Sequence, residues 1–321
     1  MKHIHLIGIG GTGLSAIALL LKERGYTVSG SDRTLSPLAR QLSAHGVTVY
    51  AGHDANNVLQ ADLVVRSSAI PDDNPEVLAA RDAGIPVLKR AEFLGQLMDG
   101  YQGIAIAGTH GKTTTTAMIA WTFARLGQDP SYIIGGIAKN LGNNAHAGGG
   151  RIFVIEADEY DNMFLGLTPR VEVVCTLEHD HPDCFPTRDS YNEAFIRFVH
   201  RLEPDGVLLT CSDDAGTRWL ASNHGREDIR ALTYGTDANA DYRAEGLAPN
   251  QRGGFDFSVL YHDETLTAVS LQVPGAHNAL NALAALAVMH HLGLPVDQAA
   301  AALSEFSGTG RRFEVLGEAA G

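Results

Sequence analysis

At 321 residues the chain is long for one hydrophobic core and predicts two domains. Its hydrophobic content of 45% is that of a globular protein, no apolar run approaches the roughly 18 residues of a membrane span, and three scattered cysteines, Cys175, Cys184 and Cys211, offer neither a disulfide framework nor a zinc knuckle. The formal charge of -13, with no cluster of Lys and Arg, excludes a nucleic-acid binder, and an N-terminus that enters a strand without a signal peptide's basic start predicts a cytoplasmic protein with no membrane insertion.

Residues 1–98 alternate short apolar strands (near 3–8, 26–31, 47–50, 62–66 and 85–88) with helices (near 14–24, 36–45, 75–83 and 90–98). That alternation predicts an α/β fold, a Rossmann-like doubly wound parallel sheet with helices on both faces. The first strand runs into a G-x-G-x-x-G turn, in which Gly8, Gly10, Gly11, Thr12 and Gly13 lead into a helix N-terminus suited to a diphosphate. Asp32 follows the second strand, about where an acidic residue meets a ribose hydroxyl. NAD and a UDP-sugar both supply a diphosphate and a ribose, so the motif does not choose between them. Ser67-Ser68-Ala69-Ile70 and Asp73-Asn74-Pro75-Glu76 read as a turn and a helix cap.

A linker at 99–103 precedes a second α/β unit, with strands near 103–107, 131–134, 152–156, 171–177 and 206–211 and helices at 112–126 and 188–202. Between its first strand and first helix stands Gly108-Thr109-His110-Gly111-Lys112-Thr113-Thr114-Thr115, the setting of a phosphate-binding loop of the P-loop ATPase type. Backbone N–H groups exposed by the glycines wrap a polyphosphate, Lys112 reaches its outer phosphates, and the Thr113 hydroxyl holds Mg²⁺. The loop is a variant, because the usual spacing requires glycine where this chain has Ile106. Two later strands end in Glu156-Ala157-Asp158-Glu159-Tyr160-Asp161 and Glu178-His179-Asp180-His181, acidic tips expected to face that loop. Carboxylate and neutral imidazole suit Mg²⁺ beside ATP, whereas His179 and His181 lack the further ligands a zinc pair needs. Residues 230–271 are strand-rich, with turns at Gly253-Gly254 and His262-Asp263, and helices return at 276–292 and 295–305. The first of these reads as a core helix with Asn278 and Asn281 at its exposed start and His290-His291 as a surface pair; Tyr191, Phe195 and Phe198 read as packing.

Taken in order, Gly-Thr-His-Gly-Lys-Thr-Thr-Thr at 108–115, Glu-Ala-Asp-Glu at 156–159, Asp180-His181, Pro274-Gly275-Ala276-His277-Asn278-Ala279-Leu280-Asn281 and Gly310-Arg311-Arg312-Phe313 resemble the motifs of the Mur ligases. The resemblance spans the chain and implies that the first glycine loop, with Asp32, Ser67 and Ser68, holds UDP-N-acetylmuramate. It implies ATP on Gly108, Thr109, His110, Gly111, Lys112, Thr113 and Thr114, with Asn278 and Asn281 on the adenine side and Arg312 on the phosphates. Thr113 and Glu156 would then hold one Mg²⁺ and His181 a second, so that Lys112, Glu156, His181 and Arg312 carry the catalysis.

The implied chemistry is amide formation: ATP phosphorylates the sugar's lactyl carboxylate, and the L-alanine amine attacks the acyl phosphate. Relatives that ligate later amino acids use a carbamylated lysine downstream of the Asp-His motif, and Lys139 is the last lysine here. The resemblance therefore favours the alanine-adding branch, with the branch that recycles a whole murein tripeptide as its competitor. Glu-Ala-Asp-Glu-Tyr-Asp resembles the recycling branch, whereas Gly8 to Ser15 and Phe164-Leu165-Gly166-Leu167 resemble the alanine-adding one. A nicotinamide oxidoreductase would leave the Lys112 loop idle, and a non-catalytic nucleotide sensor would not need Glu156 and His181. By the same resemblance a UDP-sugar domain spans 1–98, an ATP domain 103–312, and a C-terminal amino-acid domain begins at 313–321. Residues 1–321 are thus expected to bind UDP-N-acetylmuramate, to bind MgATP weakly and to form no amide alone, since closure supplies attack geometry.

Overall fold

A computed structural model of the chain describes residues 2–310. The chain divides into two compact units, residues 1–99 with 145–148, and residues 100–144 with 149–321. In the first unit five parallel strands stand in the order Thr48–Ala51, Thr27–Asp32, His3–Ile7, Leu63–Arg66, Val87–Lys89. The order reverses between His3–Ile7 and Leu63–Arg66, so a crevice opens beyond their carboxyl ends, where open α/β sheets bind ligands. Thr27–Asp32 carries Ser29-Gly30-Ser31 at its centre for a steric reason: a Cβ on Gly30 would stand 2.6 Å from both the Ile9 side chain and the Leu6 carbonyl. Helix Thr12–Glu23 buries Leu14, Ile17, Leu20 and Leu21, and the helices Pro37–Ala44 and Pro75–Asp82 start on Ser36 and Asn74 caps with proline at the first turn. Ala147 N and His146 Nδ1 meet the Glu23 carboxylate at 2.7 and 3.0 Å, which ties residues 145–148 to this unit.

In the second unit parallel strands run in the order Tyr242–Pro249, Arg230–Gly235, Val207–Cys211, Val171–Val174, Gln102–Ala107, Ile152–Glu156, Ser131–Ile133. Phe255–Tyr261 and Glu264–Ser270 add antiparallel to the outer edge, so the strand-rich region extends the same sheet. Left-handed His262 and Asp263 (φ 45° and 67°) form the turn that joins them. Helix Ala276–His291 is buried from Ala282 to Met289, and with helix Lys112–Arg125 it fills the core on one sheet face. The central strands are buried on both faces, which is why they read as near-continuous apolar runs, broken in Val171–Val174 by the buried Glu172, rather than as alternating ones.

Two sequence expectations need correction here, and two elements went unrecognised. The strand expected over 171–177 stops at Val174, because Thr176 turns its carbonyl and hydroxyl to the phosphate loop. A helix at Ala215–Asn223 went unrecognised, as did the 3-10 turn Tyr160–Gly166. His290 is half-buried rather than a free surface residue: its ring contacts Tyr242 and Tyr261 at 5.6 and 4.9 Å, and Nδ1 lies 2.9 Å from the Tyr242 hydroxyl. Tyr191, Phe195 and Phe198 are fully buried as expected. Burial pushes the Cys175 thiol up and that of Cys211 up to about 12, so neither is a ready nucleophile.

Candidate active site

In the first unit the glycine loop sits at the strand-order reversal. Gly8 and Ile9 donate to the Ser31 carbonyl at 2.8 and 3.1 Å, which holds the loop against the second strand. Gly8 has φ +89°, and a Cβ there would come 3.1 Å from Ser67 Cβ, so Ser67 lines the same crevice while Ser68 is exposed. Gly11 and Thr12 are exposed at the start of helix Thr12–Glu23, where the unsatisfied N–H groups favour an anion. Asp32 is turned inward: Oδ2 accepts from Gly10 N at 2.9 Å, so it latches the loop. Sequence reasoning missed two residues. The Arg90 guanidinium lies where a Cβ on Gly13 would be, which sets a cation beside the helix N-terminus. Glu76 is fully buried beneath the loop, where it accepts from Ser31 Oγ at 2.5 Å and Asn57 Nδ2 at 2.7 Å, with His53 Nδ1 at 3.2 Å. Burial pushes the Glu76 carboxyl up, but hydrogen bonding to His5, Ser31 and Asn57 outweighs it and brings the group to about 2.

In the second unit Gly108 and Gly111 both have positive φ, +123° and +85°. A Cβ on Gly108 would fall 2.7 Å from the Thr176 carbonyl, and one on Gly111 2.9 Å from Asn281 Oδ1. These close approaches explain both glycines and show that Ile106, well inside its strand, is not asked to turn. Thr109 N donates to the Thr176 carbonyl and His110 N to the Thr176 hydroxyl, each at 2.9 Å, which fixes the loop to its neighbour strand. Thr113 Oγ1 donates to Glu156 Oε1 at 3.0 Å, and Gly135 N donates to Glu156 Oε2 at 2.7 Å. The Lys112 ammonium is 2.5 Å from the Gly108 carbonyl and 3.0 and 2.9 Å from the two oxygens of the fully buried Glu159.

His181 comes from the next strand tip in a left-handed conformation, φ +53°, and Asp161 and Asn162 are left-handed as well. Three such residues at two strand tips are the kind of backbone strain that collects at functional sites. His181 Nε2 lies 3.8 Å from Glu159 Oε1 and the same from Asp180 Oδ2, and the Tyr160 ring meets it edge-on at 5.2 Å. The Tyr160 hydroxyl donates to Asp183, and this bond pushes its pKa up to about 12. His179 is occupied elsewhere, with Nε2 2.7 Å from the Phe185 carbonyl, so it does not form a metal pair with His181.

A cavity of about 400 Å³ adjoins the loop, lined by His110, Gly111, Thr114, Lys139, His277 and Asn278 among others. Both asparagines are buried rather than exposed: Asn281 accepts from Thr115 Oγ1 at 3.1 Å and donates to Asn278, which donates to the Pro274 carbonyl. The start of helix Ala276–His291 is thereby tied to the phosphate-loop helix. Arg312 lies outside the described residues.

Among the described residues no three His, Cys, Asp or Glu side chains form a preassembled metal cage. Mg²⁺ keeps several waters and takes one or two protein oxygens together with substrate phosphates. Thr113 and Glu156, already 3.0 Å apart at the mouth of the loop, supply such a pair.

Residues 3–102 match the Mur ligase family, catalytic domain, and residues 106–289 match the Mur ligase middle domain. Among solved structures, the UDP-N-acetylmuramate:L-alanyl-gamma-D-glutamyl-meso-diaminopimelate ligase from Neisseria meningitides is 30% identical with a TM-score of 0.87, over 97% of this chain and 100% of that one. UDP-N-acetylmuramate-alanine ligase from Thermotoga maritima is 30% identical with a TM-score of 0.84, over 99% of this chain and 72% of that one. A murein peptide ligase from Psychrobacter arcticus is also 30% identical, with a TM-score of 0.85 over 99% of this chain and 71% of that one.

Proposed function

The chain belongs to the Mur ligase family of ATP-dependent ligases that build peptidoglycan precursors, and on that premise we propose that it serves in joining L-alanine to the lactyl carboxylate of UDP-N-acetylmuramate. The observation that carries the reading is the phosphate loop itself, where Lys112 meets Glu159 and Thr113 meets Glu156 at hydrogen-bond distance beside a cavity of about 400 Å³. Lys112 and Arg312 would stabilise the γ-phosphoryl group as it passes to the carboxylate, and Asn278 would border the adenine. Thr113 and Glu156 would hold one Mg²⁺ and His181 a second; when bound, the metals offset the charge between two anionic reactants. In the first unit Gly8, Gly10, Gly11, Thr12 and Gly13, with Ser67, Ser68 and Arg90, would bind the UDP diphosphate at the helix N-terminus. Asp32 would act through the loop it latches.

A second reading, addition of a peptide in place of L-alanine, is favoured by the substrate named for the Neisseria protein and by Tyr160, which follows the Glu-Ala-Asp-Glu motif. The two separate in one assay: ADP release with UDP-N-acetylmuramate and either L-alanine or L-alanyl-γ-D-glutamyl-meso-diaminopimelate, using the complete protein. L-alanine is expected to stimulate release, and stimulation by the tripeptide alone would reverse the choice. Failure of the chain to bind ATP or UDP-N-acetylmuramate would refute both.

A further inference from the structure

The acidic tip after Ile152–Glu156 carries a second glutamate, three residues beyond the one facing Thr113, for which the proposed reaction has no use. Glu159 is fully buried, where an ionised carboxylate is held only by close partners. Its oxygens stand 3.0 and 2.9 Å from Lys112 Nζ, and Oε1 accepts from the Tyr191 hydroxyl at 3.2 Å. An ammonium has three N–H donors. In Lys112 they meet the Gly108 carbonyl and the two Glu159 oxygens, so a phosphate oxygen must displace at least one of these to be bound. Tyr191 is itself fixed, its ring fully buried against Phe185 and Phe195 at 5.2 and 5.1 Å. The Tyr191 hydroxyl thus holds the carboxylate from the side away from the solvent, and binding of a phosphate oxygen requires Lys112 to give up at least one Glu159 contact.

We propose that Glu159 is a positioning residue that keeps the Lys112 ammonium engaged, with the Gly108 carbonyl as its other partner, until a nucleoside triphosphate displaces it, and so sets the affinity for ATP. The inference rests on the nucleotide reading above. The apparent affinity of a site is reduced by the fraction of molecules in the competent state. A lysine free in about one molecule in ten then weakens ATP binding about tenfold.

The test compares the wild-type chain with Glu159→Gln, which keeps the shape of the side chain but removes its charge and one of its two acceptor oxygens. Calorimetric titration with metal-free ATP and with MgATP is expected to show Glu159→Gln binding both about tenfold more tightly, equivalent to about 1.4 kcal/mol. Without ATP, reductive methylation followed by mass spectrometry is expected to label Lys112 faster in the variant and Lys139 at the wild-type rate. A merely structural role would weaken ATP binding and accelerate labelling of both lysines. Should Glu159→Gln fail to fold, Glu159→Asp, which keeps the charge but draws it back by one methylene, is expected to shift ATP affinity and Lys112 labelling in the same direction. Unchanged or weaker ATP binding in the folded variant, or unchanged Lys112 labelling, overturns the proposal while leaving the nucleotide reading intact. Absence of ATP binding by the wild type overturns the nucleotide reading and this one with it.

Discussion

Replacing Lys112 by methionine will unsettle the second unit before any ligand is added. The side chain of Lys112 is 15% exposed and that of Glu159 0%, so the substitution strands a carboxylate that water cannot reach. Breaking a buried pair by removing one member costs about 3 to 5 kcal/mol, and the surviving Tyr191 hydroxyl places this case near about 3 kcal/mol. Neutralising both members, as Lys112→Met with Glu159→Gln, removes the stranded charge and is expected to recover about 2 kcal/mol of the loss. Both tryptophans, Trp121 and Trp219, lie in the second unit, so their fluorescence during urea unfolding reports that unit alone. Both single variants, the double variant and the wild type form a double-mutant cycle. If the double variant loses the sum of the two single losses within about 0.5 kcal/mol, the pair is not coupled and the reasoning is wrong. UDP-N-acetylmuramate binding by the first unit should stay near wild type in all four proteins, and equal loss of both ligands would contradict separate sites.

Other outcomes follow from the same geometry. Thr113→Ala, Glu156→Ala and His181→Ala should each raise the Mg²⁺ concentration required for ATP binding about tenfold, and an unchanged Mg²⁺ titration would remove that residue from the site. The Glu76 carboxyl at about 2 lies below its ordinary 4.5, so the stability it adds is present above pH 4.5 and is lost as pH falls toward 2. The wild type should therefore exceed Glu76→Gln by about 3 kcal/mol at pH 7, judged by hydrogen exchange of first-unit amides, with the gap narrowing at acid pH; a pH-independent gap would exclude the carboxylate as its source. Glu172, whose two carboxyl oxygens are buried without a hydrogen-bond partner, has the opposite sign. Burial pushes its pKa well up, with partial opposition from Arg226, so its penalty is absent below pH 4.5 and grows as pH rises. Glu172→Gln should gain on the wild type in urea midpoint from pH 5 to pH 8, and a constant difference would count against a protonated Glu172.

Both glycine loops were legible in the sequence because each is a local device: positive φ, a close backbone approach and a helix start follow one another within a few residues. Glu76, Arg90 and Glu159 were not, since their roles come from partners far along the chain, such as Ser31 for Glu76 at a separation of 45 residues. Asp32 was read as a ribose ligand from its place at a strand end, and only the folded loop shows its carboxylate on Gly10. Helix Ala215–Asn223 escaped because its one large buried side chain is Leu220 and it contains Gly216. That glycine is present because a Cβ there would collide with the Leu177 carbonyl, a tertiary reason invisible in a local pattern. The half-buried His290 shows the same limit: a histidine at a helix end reads as surface until the tyrosines of a distant sheet edge close over it.

The cavity beside the phosphate loop draws its wall from both ends of the second unit's sequence. Lys139 N donates to the Gly308 carbonyl, Ala138 bridges to Thr309, and Ser307 N reaches back to Asn140 Oδ1 across 167 residues. A ribosome adding about 5 to 20 residues per second therefore needs on the order of ten to thirty seconds between releasing the first half of that wall and the second. During this interval the phosphate loop and its helix have emerged while Phe306 and the rim formed by residues 307–309 have not. On the nucleotide reading proposed above, the nascent chain would not acquire a complete ATP site early in synthesis or use the ligand to drive the rest of the unit into place. On that reading, stabilisation by nucleotide would arrive only at the end of translation of this unit, and a ribosome stalled before codon 307 would carry the phosphate-loop motif without the cavity wall that completes it.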